Sequence, residues 1–130
     1  MKRTRGFTLL EIMIVVAIIG MLAAVVAVSY QHHIIYAQRT RVQSDFQSLK
    51  DAIEMFKLQK HRLPASLDEL VASKFLEKPP LDPWGHAYVF ATTGSTYSLL
   101  SYGADGIPGG TDENADITPD NVDSLLAGNG

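Results

Sequence analysis

The stretch from Phe7 to Val28 is apolar at every position except Thr8, Glu11 and Gly20. As an α-helix with a rise of about 1.5 Å per residue, its 22 residues would be about 33 Å long. That length is enough to cross the hydrocarbon core of a bilayer, which is ~30 Å thick. The stretch therefore predicts one helix that spans a membrane, and it leaves the remainder of the chain to form a small soluble domain.

The residues before this stretch indicate its orientation. Lys2, Arg3 and Arg5 precede it, and no acidic residue lies among them. Basic residues that flank a membrane helix stay on the cytoplasmic side. We therefore expect a single-pass protein with three parts along the chain: a cytoplasmic leader (1–6), a transmembrane helix (7–29) and a head on the far side of the membrane (30–130).

The composition of the head limits how it is stabilised and what it binds. The chain contains no cysteine, so disulfides cannot stabilise a head outside the cytoplasm. A small domain without disulfides needs other support, such as a metal ion or partner subunits. All Lys and Arg lie at or before Lys78, and seven acidic residues follow it. This distribution lacks the basic patch of a nucleic-acid-binding protein, so we expect no nucleic acid partner.

The helical pattern continues beyond the apolar stretch. No Gly or Pro occurs between Tyr30 and Lys60, and apolar residues recur there in steps of four and three. These residues are Val42, Phe46, Leu49, Ile53 and Phe56. Their spacing predicts one face of an amphipathic helix, with charged residues such as Arg39 on the other faces. Pro64 should end this helix, because proline lacks an amide donor and clashes with the preceding turn.

A second, short helix is predicted after this proline. Ser66 and Glu69 have the spacing of a capping box, in which the Ser66 hydroxyl accepts a hydrogen bond from the Glu69 amide and the Glu69 side chain reaches back. The helix should run to about Lys74. The Asp82-Pro83-Trp84-Gly85 segment that follows predicts a tight turn with Trp84 packed in the core.

The last third of the chain favours strands. Residues 87–91 and 96–102 are rich in aromatic and aliphatic side chains and flank Thr92–Ser95, a pattern typical of a β-hairpin. A loop rich in Gly and Asp follows, from 103 to 117. The predicted fold class is α+β: a long N-terminal helix, with a transmembrane first half and an amphipathic second half, packed on a small C-terminal hairpin head.

Glu11 does not suit a plain membrane anchor. An ionised carboxylate deep in a membrane helix costs about 2.5–3.5 kcal/mol. Glu11 should therefore either be neutral or find a cation. A secretory signal peptide cleaved near Ala27-Val28-Ser29 is one alternative, although the apolar stretch is longer than such peptides use. An ordinary single-pass anchor is another, and it leaves Glu11 unexplained.

The segment Gly6-Phe7-Thr8-Leu9-Leu10-Glu11 resembles the class III signal of type IV pilins and pseudopilins. This resemblance implies a type IV pilin-like fold. It also implies that a prepilin peptidase cuts between Gly6 and Phe7 and methylates the new amine of Phe7. In that family the glutamate equivalent to Glu11 meets the N-terminal amine of a neighbouring subunit in a helical filament. Glu11 would then be an assembly residue.

Two further segments resemble the major pseudopilins of type II secretion systems, the general secretion pathway G proteins. DPWGHAY, residues 82–88, is similar to their DPWGNPY, although His86 and Ala87 replace Asn-Pro. SYGADGIPGG, residues 101–110, is similar to their SLGADGxPGG. The usual proline near residue 28 is absent.

The resemblance implies an inner-membrane subunit with a periplasmic head that polymerises into a periplasmic pseudopilus, which pushes folded exoproteins through an outer-membrane channel. It also implies minor pseudopilins and an inner-membrane assembly platform as partners.

The loop from 103 to 117 is the candidate metal site. Its spacing alone leaves open whether the acids are merely solvated or hold a hard cation such as Ca²⁺, which takes six to eight oxygen ligands. Major pseudopilins carry calcium in this loop, so the resemblance implies Ca²⁺ here. The implied ligands are the Tyr102 carbonyl and the Asp105 and Asp112 side chains, with Glu113 and Asp116 as further candidates.

Other function classes remain as alternatives. A type IV pilin subunit would share the N-terminus but not the acidic loop. A membrane-tethered periplasmic binding domain or enzyme would need a convergent set of side chains. Ser98 and Ser101 have no His or acid placed by sequence to activate them, and the four histidines are scattered. We therefore expect no enzymatic activity and no zinc site.

Overall fold

A computed structural model describes residues 5–128 of the chain. The predicted leader residues Lys2 and Arg3 lie outside the described residues, as do the last two residues of the predicted head. The described chain divides into two units that meet between Ile34 and Ile35. Its elements, in chain order, are α1 (Leu9–Lys60), α2 (Leu67–Ala72), β1 (Val89–Thr93), β2 (Thr96–Leu100), a 3-10 turn (Asp112–Asn114) and α3 (Val122–Ala127).

The first unit consists of the start of α1, which is 52 residues long in total. Every residue from 9 to 34 is exposed, apolar side chains included, and Ile35 is the first partly buried residue of α1. The most apolar window of 18 residues has a mean hydropathy of 2.9, and none of it is buried. By length and composition α1 can cross a membrane, as the sequence predicts. Its apolar surface has no partner within the described chain.

The second unit has its own core, and the predicted helix face forms one side of it. All five residues of that face, from Val42 to Phe56, are buried. They pack with Leu70 of α2, Leu99 of β2 and Val122 of α3, and with Tyr88 and Ile117 from the connecting segments. Aromatic contacts link Phe46 to Tyr88 and Phe56 to Phe75. The α+β fold class is confirmed, with the amphipathic part of α1 packed on the elements that follow it.

The end of α1 lies earlier than Pro64 itself. The helix ends at Lys60, and His61 has a left-handed backbone with φ 56°. Proline excludes a hydrogen bond to the carbonyl four residues before it, and its ring clashes with that carbonyl. The carbonyl four residues before Pro64 is that of Lys60, which explains why the helix ends there.

Half of the predicted capping box is confirmed in α2. The Ser66 hydroxyl accepts a hydrogen bond of 3.3 Å from the Glu69 amide. The Glu69 carboxylate reaches back to the amide of Ala65, at 2.7 Å, and not to that of Ser66. The helix ends at Ala72, two residues before the predicted end, and Lys74 turns the chain with φ 63°.

The hairpin is present, but the predicted strand bounds were wrong. The strands β1 and β2 pair antiparallel from Val89↔Leu100 to Thr93↔Thr96. Thr92, Thr93 and Thr96 therefore lie in the strands, and only Gly94 and Ser95 form the turn. Gly94 has φ 62°, which allows a two-residue turn and lets the pairing extend into the predicted loop. Beyond β2, Ser101 forms a single bridge with Ile117.

Candidate functional sites

The predicted processing site lies just before α1. Gly6 and Phe7 precede the helix, which begins at Leu9, and the Phe7 side chain is 85% exposed. A peptide bond outside a helix is accessible to a peptidase, because no helical hydrogen bonds need to be broken first. The bond between Gly6 and Phe7 lies outside the helix.

Glu11 and Thr8 form a capping box at the start of α1. The Glu11 amide donates to the Thr8 hydroxyl at 3.2 Å, and the Thr8 amide donates to Glu11 Oε2 at 3.4 Å. Such reciprocal bonds satisfy two amides that have no partner at a helix start. We did not predict this role, although the spacing of Thr8 and Glu11 is the same signal that predicted the cap of α2. Glu11 therefore stabilises the helix start within one chain, in addition to any role between chains.

A buried carboxylate connects the Asp82–Gly85 turn to the end of β2. Asp82 is 2% exposed, and its Oδ1 accepts hydrogen bonds from the amides of Trp84 (3.1 Å) and His86 (2.8 Å). Its Oδ2 accepts a bond of 2.8 Å from the buried Ser101 hydroxyl. The Gly85 amide closes the turn on the Asp82 carbonyl at 3.0 Å, which confirms the predicted tight turn.

The same cluster does not form a nucleophilic site. The Ser101 hydroxyl donates a hydrogen bond to Asp82, and His86 Nδ1 lies 3.2 Å from the Gly103 carbonyl. A nucleophilic serine needs a base within reach that is itself oriented by a third group. In this cluster the acid, and not the histidine, contacts the serine. The three side chains therefore hold the turn and the start of the acidic loop together.

The candidate metal ligands of the acidic loop differ in exposure, backbone conformation and hydrogen bonding. Asp105 is exposed, and its Oδ1 accepts a bond of 3.3 Å from the Ile107 amide. Asp112 starts the 3-10 turn with φ 53°, and Glu113 beside it is exposed. Tyr102 is partly buried at the beginning of the loop. Among residues 5–128, no group of three or more His, Cys, Asp or Glu side chains is arranged to hold a metal ion. Carboxylates alone therefore do not form a cage.

Asp116 and the loop backbone favour a cation site of mixed ligands. Asp116 Oδ2 accepts a bond of 2.9 Å from the Gly109 amide, whereas its Oδ1 is buried without a hydrogen-bond partner in the described chain. At Gly103, with φ 70°, a Cβ would lie 2.8 Å from the carbonyl oxygens of Glu113 and Ala115. Two backbone carbonyls of the loop thus lie close to the same point at Gly103, and Asp116 has a buried carboxylate oxygen without a partner among the described residues. Carbonyl and carboxylate oxygens are the ligands of Ca²⁺, so the residues fit this ion.

Arg39 is a site residue that the sequence pattern missed. The guanidinium is buried, with 5% of the residue exposed, and it donates from Nη1 to the Leu125 carbonyl and from Nη2 to the Asp112 carbonyl, each at 2.9 Å. The prediction that Arg39 lies outside the buried face of the helix was wrong. The spacing could have predicted that Arg39 is buried, because position 39 is three residues before Val42 and continues the buried face by one step.

Tyr88 couples the core to α1. Its hydroxyl donates to Asp45 Oδ2 at 2.6 Å. Burial, together with the hydrogen bond to Asp45 and the negative charge of that carboxylate, raises the pKa of Tyr88 well above its usual range. The phenol therefore stays protonated and acts as a structural donor, not as an acid or a base.

Comparisons with known proteins match both parts of the chain. Residues 1–27 match the prokaryotic N-terminal methylation motif. Residues 30–120 match the family described as Type II secretion system (T2SS), protein G. The chain belongs to the protein G family of type II secretion systems. The family confirms the resemblance in residues 82–110, and the N-terminal match confirms the methylation signal.

Individual relatives agree with this family. The Type II secretion system core protein G of Pseudomonas aeruginosa is 35% identical, over 89% of this chain and 94% of that protein. The protein of the same name from Escherichia coli K12 is 36% identical, over 85% of this chain and 89% of its own length. The one from Vibrio cholerae is 32% identical, over 90% and 92%. The prediction of a major pseudopilin is confirmed, and neither a type IV pilin nor a tethered binding domain is favoured.

Proposed function

We propose that this protein G chain polymerises into a periplasmic pseudopilus that pushes folded exoproteins through an outer-membrane channel. The observation that carries this proposal is the exposed apolar surface of α1 together with the acid near its start. The protein is anchored in the inner membrane by α1 until it enters the filament, and its head lies in the periplasm. It supplies a structural surface and performs no chemistry of its own.

Processing is the first step of this proposal. Prepilin peptidase hydrolyses the bond between Gly6 and Phe7, which takes up one water and frees the Phe7 amine. A methyl donor then transfers a methyl group to that amine, which gives up a proton. The match of residues 1–27 to the methylation motif supports this step. The exposed, non-helical position of Phe7 supports it as well.

Assembly satisfies Glu11 in an apolar environment. Among the described residues its carboxylate accepts only the Thr8 amide, and such a carboxylate costs about 2.5–3.5 kcal/mol in the membrane unless it gains a cation. The Phe7 amine of a neighbouring subunit supplies that cation and sets the register of the two helices. Contacts of this head-to-tail kind do not close, so they generate a helical filament. Minor pseudopilins and an inner-membrane assembly platform are the further partners.

Calcium binding by the acidic loop is part of the proposed function. Tyr102, through its carbonyl, and the side chains of Asp105 and Asp112 would hold the ion, with Glu113 and Asp116 as further ligands. The unpaired Asp116 Oδ1 and the crowded carbonyls beside Gly103 support this proposal. Bound calcium supplies positive charge to an acid-rich segment. Its binding would therefore stabilise a head that has no disulfides.

Two matched substitutions test the role of Glu11 in assembly. Glu11→Gln removes the charge but keeps an acceptor for the Thr8 amide, whereas Thr8→Val removes the hydroxyl of the cap but keeps the charge. We expect Glu11→Gln to reduce filament formation in cells at least tenfold and Thr8→Val to leave it near the wild-type level. Filaments are quantified by shearing and sedimentation, with membrane levels of each variant as the control. Wild-type assembly of Glu11→Gln would contradict the proposed charge pairing.

A further inference from the structure

The C-terminal part of the head is strongly acidic and contains no basic side chain of its own. No Lys or Arg follows Lys78. Five acids lie within the twelve residues from the 3-10 turn to the start of α3: Asp112, Glu113, Asp116, Asp120 and Asp123. Like charges at this density repel one another and favour an unfolded segment. This segment therefore needs positive charge from elsewhere.

Arg39 is the cation that the fold supplies. Within residues 5–128 it is the sole Lys or Arg whose side chain hydrogen-bonds to the chain beyond Lys78. The other arginine contacts there are local, from Arg41 to Asp45 and from Arg62 to Leu63 and Glu69. Burial makes the Arg39 contact stronger than a surface pair, because water screens it less.

The two hydrogen bonds of Arg39 join two separate segments. Its partners are 86 and 73 residues away in sequence, at Leu125 in α3 and at Asp112 in the loop. The planar guanidinium fixes the direction of both N–H groups, so the two carbonyls are held at a set separation. Leu125 lies near the end of α3, where carbonyls favour a positive charge.

Further contacts make α3 and the loop depend on the same turn of α1. Gln43, one turn after Arg39, donates to the Asp123 carboxylate, and Val122 is buried in the core. The Asp112 carbonyl also accepts the Ala115 amide at 3.2 Å, which closes the 3-10 turn. Asp112 has a positive φ, which costs free energy in a residue other than glycine. Such a residue keeps this conformation only where its surroundings hold it. Arg39 therefore stabilises the turn that carries a proposed calcium ligand.

We propose that Arg39 is a positioning residue that couples cation binding in the acidic loop to the docking of α3. The coupling rests on the proposed calcium binding. Arg39 donates its hydrogen bonds to backbone carbonyls, and it forms no ion pair within 4.0 Å with any described carboxylate. The carboxylates of the loop thus remain available to a divalent cation. The proposal requires that the gain from holding the loop in one conformation exceed the repulsion between guanidinium and cation.

Calcium titration and hydrogen exchange of the full-length protein in detergent micelles test this coupling. Arg39→Gln removes both the positive charge and the planar guanidinium with its two N–H donors. Arg39→Lys keeps the positive charge but also removes the guanidinium. Arg41→Gln is the matched control, because Arg41 is exposed and, within the described part of the chain, pairs only with Asp45 on its own helix. We expect both Arg39 variants to weaken calcium binding about tenfold, because the competent loop is then less populated. Arg41→Gln should bind calcium like the wild type.

Hydrogen exchange supplies the readout that a change of charge alone would not move. In both Arg39 variants without calcium, amides of residues 111–116 and 122–127 should lose protection together, and calcium should restore both. If Arg39→Gln does not fold, Arg39→Lys gives the same comparison. Wild-type or tighter calcium binding by the Arg39 variants would overturn the role of Arg39 alone. No calcium binding by the wild type would overturn the proposed calcium site and the coupling with it.

Discussion

At the scale of single residues, buried polar groups of the head act through several partners at once. Asp82 accepts three hydrogen bonds, and Arg39 donates two to distant carbonyls. Each makes contacts across segments that no local pattern connects. A buried polar group without its partners costs about 1–3 kcal/mol, so the loss of one such side chain leaves several groups unsatisfied.

Asp82→Ala tests this account at one residue. The substitution leaves the Ser101 hydroxyl and the amides of Trp84 and His86 without their acceptor. We expect it to lower the free energy of unfolding of the head by about 2–4 kcal/mol. Urea unfolding followed by the fluorescence of Trp84, the one tryptophan in the chain, measures the change. Asp120→Ala, at an exposed acid, is the control and should change the free energy by less than about 0.5 kcal/mol.

At the scale of elements, α2 is held at its start by charge as well as by its cap. The Arg62 guanidinium contacts the Glu69 carboxylate, which also accepts the Ala65 amide. These bonds lower the pKa of Glu69 to about 2, with the hydrogen bond from Arg62 as the main cause. Arg62 also lies over the Phe56 ring, 5.2 Å from its centre. The segment between α1 and α2 is therefore ordered by a group that titrates only in acid.

The lowered pKa of Glu69 predicts the direction of an acid effect. Because the pKa is below its usual value of 4.5, the ionised form stabilises the folded state above pH 4.5, and this stabilisation is lost as the pH falls toward about 2. In Glu69→Gln, that part of the pH dependence should be absent. Urea unfolding at several pH values between 2 and 6 measures it. Identical pH profiles for the variant and the wild type would contradict the assignment.

Sequence patterns predicted those elements that depend on neighbours along the chain. Apolar spacing predicted α1 and its buried face, and the Ser66 signal predicted the start of α2. The hairpin bounds were wrong because Gly94 allows a tighter turn than the run of Thr and Ser suggested. The spacing could have predicted the burial of Arg39, but not its bonds to Leu125 and Asp112 or the bond of Asp82 to Ser101, because these partners are brought together only by the tertiary fold.

At the scale of the whole molecule, the two units differ in how they satisfy their apolar surface. The unit from residue 35 onward buries its apolar face against its own elements. The exposed residues 9–34 have no such partner in the described chain, so a membrane or other subunits must cover them. Membership of the protein G family agrees with both environments at successive stages. We therefore propose that processing prepares this helix to leave the membrane for a filament.

Mass spectrometry of the N-terminal peptide of the protein from native membranes tests this claim most directly. The account predicts a chain that starts at Phe7 and carries one methyl group on its amine. An intact Met1 would indicate an unprocessed anchor. A start near Tyr30 would indicate an exported domain that has lost the apolar stretch. Either of these two results would contradict the proposed filament subunit.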